Sequence, residues 1–147
     1  EANFSQTIIN STGKKIEYKG KIYIKEESKI VWKYTSPIIK NVYIDKAFAI
    51  IDEPELEQAI FTSLKKEINI VKLLKEAKKI ESNLYVTSMY DTQYKITIKN
   101  KRINSIQYKD ELENSIDILF TNIIQNKKID EAHFVFKPPF GYDIIRK

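Results

Sequence analysis

Gly20-Lys21-Ile22-Tyr23-Ile24-Lys25, followed closely by Ile30-Val31-Trp32-Lys33-Tyr34-Thr35-Ser36-Pro37, is the part of the chain whose reading decides the fold. Upstream and through the first stretch, Ile16, Tyr18, Ile22 and Ile24 alternate with Lys15, Glu17, Lys19, Lys21 and Lys25. Successive side chains of a strand point to opposite faces, so this period of two predicts a half-buried strand. In the second stretch Ile30, Trp32 and Tyr34 share one face, with Val31 and Lys33 opposite. The two strands together predict a broad aliphatic and aromatic surface backed by lysines. A surface sealed by the chain's own helix is a core; one covered by something removable is a binding site.

Outward from this pair the same pattern continues. Phe4 to Ile9 leads through the turn Ser11-Thr12-Gly13-Lys14 into the long strand. Val42, Ile44, Phe48 and Ile50 predict a hairpin turning near Asp45-Lys46, and Leu56 to Leu64 a further strand after the turn Asp52-Glu53-Pro54. Asn69 is a good N-cap, and Ile70, Leu73, Leu74, Ala77 and Ile80 fall on one stripe, which predicts a helix from Ile70 to about Lys79. Val71 widens that stripe. Strands resume at Leu84–Thr87, Tyr94–Ile98, Ile103–Tyr108, Ile116 to about Ile124 and Ala132–Phe136, and Tyr142–Ile145 follows the Pro138-Pro139-Phe140-Gly141 turn. About ten to eleven strands with short turns and one long helix predict a mainly β (α+β) domain spanning residues 1–147. Its expected form is a large curved antiparallel sheet closing into an incomplete barrel. A sheet of that size curls too widely for a single layer of side chains to fill, and one short helix is a small plug for it.

Composition removes most other functions. The 147 residues are 42% hydrophobic and 31% charged, which is globular rather than disordered, and no run approaches a membrane-spanning length. There is no cysteine, so thiolate metal sites and cysteine nucleophiles are excluded. The one histidine, His133, alternates away from Phe134 and Phe136 and has no catalytic or metal partners in sequence; it reads as a surface or structural residue. No nucleophile elbow or phosphate-binding glycine loop occurs, and the acidic groups 52–55 and 110–113 read as polar turns. No enzyme, cofactor or metal is expected. The net charge of +5 comes mainly from lysines alternating along strands, which makes a solvated face. Nucleic acid is a poor partner because Trp32 and Tyr34 lie on the apolar row rather than among the bases.

The order of several short motifs is more specific than any periodicity. Phe4-Ser5-Gln6, Gly20-x-Ile22-Tyr23-Ile24-Lys25, Ile30-x-Trp32-x-Tyr34, Asp45-Lys46, Pro54-Glu55-Leu56-Glu57-Gln58-Ala59 and Phe134-x-Phe136-x-Pro138-Pro139-x-Gly141 together resemble the LolA family of outer-membrane lipoprotein carriers. The resemblance runs the length of the chain. It implies an unclosed barrel of about eleven strands lidded by helices, located in the periplasm. It also implies a monomeric chaperone that takes acylated lipoproteins from an inner-membrane ABC transporter and passes them to an outer-membrane acceptor. Three departures stand out: Lys25-Glu26-Glu27 replaces the family's basic latch, Lys46 replaces a glycine after Asp45, and the family's N-terminal helix ahead of Phe4 is apparently absent. The expected lipid-binding residues are Ile22, Ile24, Ile30, Trp32, Tyr34, Phe120, Phe134 and Phe136 on the sheet, and Ile70, Val71, Leu73, Leu74 and Ala77 on the lid helix. Two other readings remain: an outer-membrane lipoprotein acceptor or other lipid-binding module of the same fold, and a basic nucleic-acid or protein binding domain.

Overall fold

A computed structural model describes residues 1–26, 29–45, 48–63, 69–125 and 128–147. The expectations placed on Glu27, Lys46 and Leu64 lie outside the described residues. The described residues form one twelve-stranded sheet. In chain order the strands are β1 Ala2–Ile9, β2 Lys15–Glu26, β3 Lys29–Ser36, β4 Lys40–Asp45, β5 Phe48–Glu53, β6 Gln58–Ser63, β7 Lys78–Glu81, β8 Leu84–Met89, β9 Thr92–Lys99, β10 Arg102–Lys109, β11 Ser115–Thr121 and β12 Asp143–Arg146. Among the described residues the single α-helix, α1, spans Ile70–Glu76 between β6 and β7.

Sequential hairpins set the topology. The spatial order is β12-β6-β5-β4-β3-β2-β1-β11-β10-β9-β8-β7, so β1 sits mid-sheet, joining a run of strands that grows outward on each side. The edges, β7 and β12, do not pair with each other, which leaves the barrel unclosed. Every pair is antiparallel except β12, which returns parallel to β6.

Ile30 is opposite Ile24 and Ile44, and Trp32 is opposite Ile22 and Val42. The even-numbered residues of β2 and β3 therefore form one apolar layer, continued by Phe4 on β1, Ile96 on β9, Ile106 on β10 and Ile118 and Phe120 on β11. Gly20 interrupts the alternation where β2 bulges against β3, and it lies beneath the Phe4 ring. Any side chain there meets the Lys33 carbonyl, so glycine is required by close backbone approach.

The structure corrects four sequence expectations. The helix ends at Glu76, because Ala77 is extended and Lys78–Glu81 pairs with β8 as an edge strand. Residues Ala132–Phe136 are not a strand. Asp130 caps a 3-10 turn over Glu131–Phe134 by accepting from the Ala132 amide at 3.0 Å. Leu56 is exposed in a 3-10 turn, and the strand after it starts at Gln58. Finally, the face opposite the Ile30 row is not simply solvated. Tyr23, Val31, Tyr43, Ile50 and Phe61 are cross-strand neighbours on that outer face, and residues 128–142 run across it as a strap. Val31 is fully buried as a result.

Candidate functional site

The inner apolar face is organised by aromatic edges. Phe4 meets Trp32 at 5.1 Å and Tyr34 at 5.0 Å between ring centroids, both near perpendicular, and Trp32 reaches Phe120 at 6.2 Å. Edge-to-face pairs of this kind are favourable beyond their area alone. Tyr34 keeps its hydroxyl satisfied by donating to buried Gln6 Oε1 at 3.0 Å, so these two polar groups are paired with each other. Lys40 caps the same ring from above, its Nζ 4.5 Å from the centroid.

Helix α1 covers this layer. Asn69 accepts from the Lys72 amide at 3.1 Å and fixes the helix start. With that start, Ile70 and Leu73 are fully buried in the apolar cluster, while Val71 and Ala77 are partly buried against it. Leu74 sits at the margin and is 37% exposed. The lid therefore engages through one turn's worth of side chains rather than the full stripe visible in the sequence.

Of the expected sheet residues, the structure brings together Ile22, Ile30, Trp32, Tyr34 and Phe120 in one buried cluster, with Ile24 half-buried against it. Phe136 is elsewhere. It lies on the outer face, 5.6 Å from Tyr43, 6.4 Å from Phe61 and 6.3 Å from Tyr142. Phe134 is half-buried in the 3-10 turn and outside the cluster. Both were assigned inward on the premise of a strand, and the turn at Glu131–Phe134 removes that premise. Sequence reasoning also missed Phe4, Val42, Ile44, Ile96, Ile106 and Ile118, all of them in the cluster. The alternation of Phe4-x-Gln6-x-Ile8 and of Tyr94-x-Ile96-x-Ile98 carried that signal.

The strap is pinned to the outer face by polar and aromatic contacts. Glu131 pairs with Lys25 and, at 3.3 Å, with Lys29, and these two hydrogen bonds hold its carboxyl below the usual carboxylate range. His133 stacks on Tyr23 at 4.6 Å, with its Nδ1 3.4 Å from Lys33 Nζ, and so acts as a structural wedge. Buried Asp52 accepts from Tyr142 Oη at 2.9 Å and from Asn41 Nδ2 at 3.1 Å. Burial, the hydrogen bond to Asp52 and that carboxylate's charge push the Tyr142 hydroxyl up to about 12. Burial first, then Asp52, raises Tyr43 as well. A cavity of about 390 Å³ lies between strap and sheet, lined by Tyr43, Asp52, Val135, Phe136 and Pro139 among others. Among the described residues no group of three His, Asp or Glu is placed to hold a metal ion, and no helix is long and apolar enough to cross a membrane.

This arrangement can shelter apolar material. It contains an aromatic and aliphatic face on an unclosed sheet, covered by a short helix whose removal would expose that face. A family profile described as outer membrane lipoprotein carrier protein LolA matches residues 1–102. Proteins named outer-membrane lipoprotein carrier protein are similar over nearly the whole chain. The one from Wolinella succinogenes is 33% identical over 147 residues, covering 99% of this chain and 86% of its own. That from Campylobacter jejuni is 36% identical over 145 residues (99% and 85%), and that from Helicobacter hepaticus 33% over 146 residues (99% and 82%). With the profile covering more than half of the chain and relatives above 30% identity along nearly all of it, the chain belongs to the LolA family of outer-membrane lipoprotein carriers.

Proposed function

We infer that this protein carries lipoproteins through the periplasm by burying their acyl chains against the inner face of its sheet. The observation that carries the reading is the apolar layer around Trp32 and Phe120, closed by the seven-residue helix α1 rather than by a second sheet. Acyl chains would enter as α1 lifts and replace Ile70 and Leu73 against Ile22, Ile24, Ile30, Trp32, Tyr34 and Phe120, with Val71, Leu74 and Ala77 flanking the entrance. The transfer is hydrophobic and needs no catalysis. An inner-membrane ABC transporter supplies the cargo and an outer-membrane acceptor removes it; the carrier acts as a monomer.

A release assay tests this. The protein is added to spheroplasts and newly made lipoproteins are followed by separating membrane from supernatant. The expected result is a soluble one-to-one complex with the carrier. Leu74→Glu, at an exposed position of the lid, should lower its yield several-fold while thermal stability is unchanged. Failure of the wild-type chain to release any lipoprotein refutes the carrier role.

A further inference from the structure

A second concavity lies on the other side of the sheet from the apolar layer. On β1, β11, β10 and β9 the cross-strand neighbours Thr7, Asp117, Gln107 and Lys95 form an unbroken polar row, and Asp117 lies between the core residues Ile116 and Ile118, so the row faces outward. This row floors a groove of about 1100 Å³. Four strands at about 4.8 Å spacing span roughly 15 Å, the length of four or five extended residues.

Rigid hairpin tips wall the groove. Tyr90 and Asp91 are both left-handed, at φ 50° and 64°, in a tight turn between β8 and β9. Between β10 and β11, the Asp110 carboxylate accepts from the Leu112 and Asn114 amides and from Asn114 Nδ2 at 2.9 to 3.0 Å. Tyr90 and Ile9, both exposed, line the groove. Exposed apolar groups gathered at one groove mark an interaction site.

Charge identifies the occupant. The chain carries a net +5, yet five carboxylates line this groove against three lysines, Lys15, Lys95 and Lys109. Asp110 is engaged in its turn, which leaves Asp91, Glu111, Glu113 and Asp117 facing a ligand. Asp117 has acceptor capacity to spare. Its Oδ2 takes only a long 3.4 Å bond from Gln107 and can accept from a ligand, whereas its Oδ1 is buried. A phosphate or an anionic lipid headgroup meets repulsion here. A basic side chain meets complementary charge, and the apolar tips suit an aliphatic neighbour in its sequence.

We propose that this groove docks an extended basic and aliphatic segment of a partner protein, with an arginine or lysine over Asp117 and aliphatic residues against Tyr90 and Ile9. The proposal does not depend on what the inner face carries. A capped eight-residue peptide of alternating arginine and leucine is the probe, titrated into the isotope-labelled full chain, with a glutamate-for-arginine peptide and anionic phosphatidylglycerol vesicles as competitors. Amide shifts are expected at residues 7–9, 90–95 and 107–117, with affinity falling as salt is raised. Glu111→Lys combined with Glu113→Lys should weaken binding at least tenfold, and Asp117→Asn several-fold, both with unchanged melting temperature. Absence of binding at millimolar peptide, shifts centred on α1, or equal affinity in the double variant would overturn the assignment. So would equal binding of the glutamate peptide or of the vesicles.

Discussion

Gly20→Ala is the most informative single change in the core. A Cβ built at Gly20 falls 2.0 Å from the Lys33 carbonyl oxygen, 2.8 Å from its carbon and 2.9 Å from Phe4 Cζ. An ordinary contact needs about 3.2 Å or more, so β2 and β3 must separate by about 1 Å at the bulge, against a normal spacing of about 4.8 Å. Stretching the flanking ladder bonds costs about 1 kcal/mol each and the misfit in the packed layer about 1 to 3 kcal/mol. The lower entropy of unfolded alanine adds roughly another 0.5 kcal/mol on the side of the folded state. The net expectation is a loss of about 3 kcal/mol, or roughly 10 °C in melting temperature for a chain of this size.

Chemical denaturation followed by circular dichroism measures it, with two companion variants that separate the causes. At Gly13, φ is +86° and nothing lies within 4 Å, so Gly13→Ala carries only the left-handed backbone cost, about 1 kcal/mol. Phe4→Leu in the Gly20→Ala background removes the ring contact but not the carbonyl contact, and should rescue little. Full rescue by Phe4→Leu, or a loss below about 0.5 kcal/mol in Gly20→Ala alone, would refute the claim that backbone approach dictates the glycine.

Two further outcomes follow from the lid and the strap. Leu73 is 1% exposed and Leu74 is 37% exposed, so Leu73→Ala should cost about 3 kcal/mol and Leu74→Ala under about 1 kcal/mol in the same denaturation assay. Tyr142 is raised in the folded state to about 12, above its unfolded value near 10, so the stability it contributes is complete below pH 10 and is lost as pH rises through about 12. The fall in stability over that window should be shallower in Tyr142→Phe than in the wild type, and identical slopes would remove Tyr142 from the account.

The sequence was most legible where local pattern and tertiary burial agree. The period-two rows of β2 and β3 place Ile22, Ile30, Trp32 and Tyr34 on one face because that face is packed along its whole length. The pattern fails at Phe134 and Phe136, where an alternating stretch is preceded by Asp130 and followed by Pro138-Pro139. Capping at Asp130 diverts the backbone into a 3-10 turn, and a chain outside a ladder no longer places alternate residues on opposite faces. The outer face was misread for a related reason. Val31, Tyr23 and Tyr43 alternate with apolar residues and look solvated, and their cover arrives from a strap about a hundred residues later. Such long-range cover leaves no local signature.

The shortened helix bears directly on carriage. An α-helix of seven residues is about 10 Å long, and it buries Ile70 and Leu73 completely. Counting those side chains and the sheet surface they cover, lifting α1 exposes apolar area worth about 8 kcal/mol. An acyl chain of about sixteen carbons recovers about 12 kcal/mol on burial, at about 0.8 kcal/mol per methylene. On the carrier reading one chain is therefore enough to displace the lid, and the closing lid offsets about two-thirds of the acyl burial at hand-over. A helix that continued to Ile80, as the apolar stripe alone predicts, would bury another large side chain and shift this balance by about 2 kcal/mol towards the closed state. Instead the backbone extends at Ala77 and leaves Ile80 exposed on edge strand β7. On the carrier reading, the shorter helix therefore favours the open, cargo-bound state by about 2 kcal/mol more than the full stripe would.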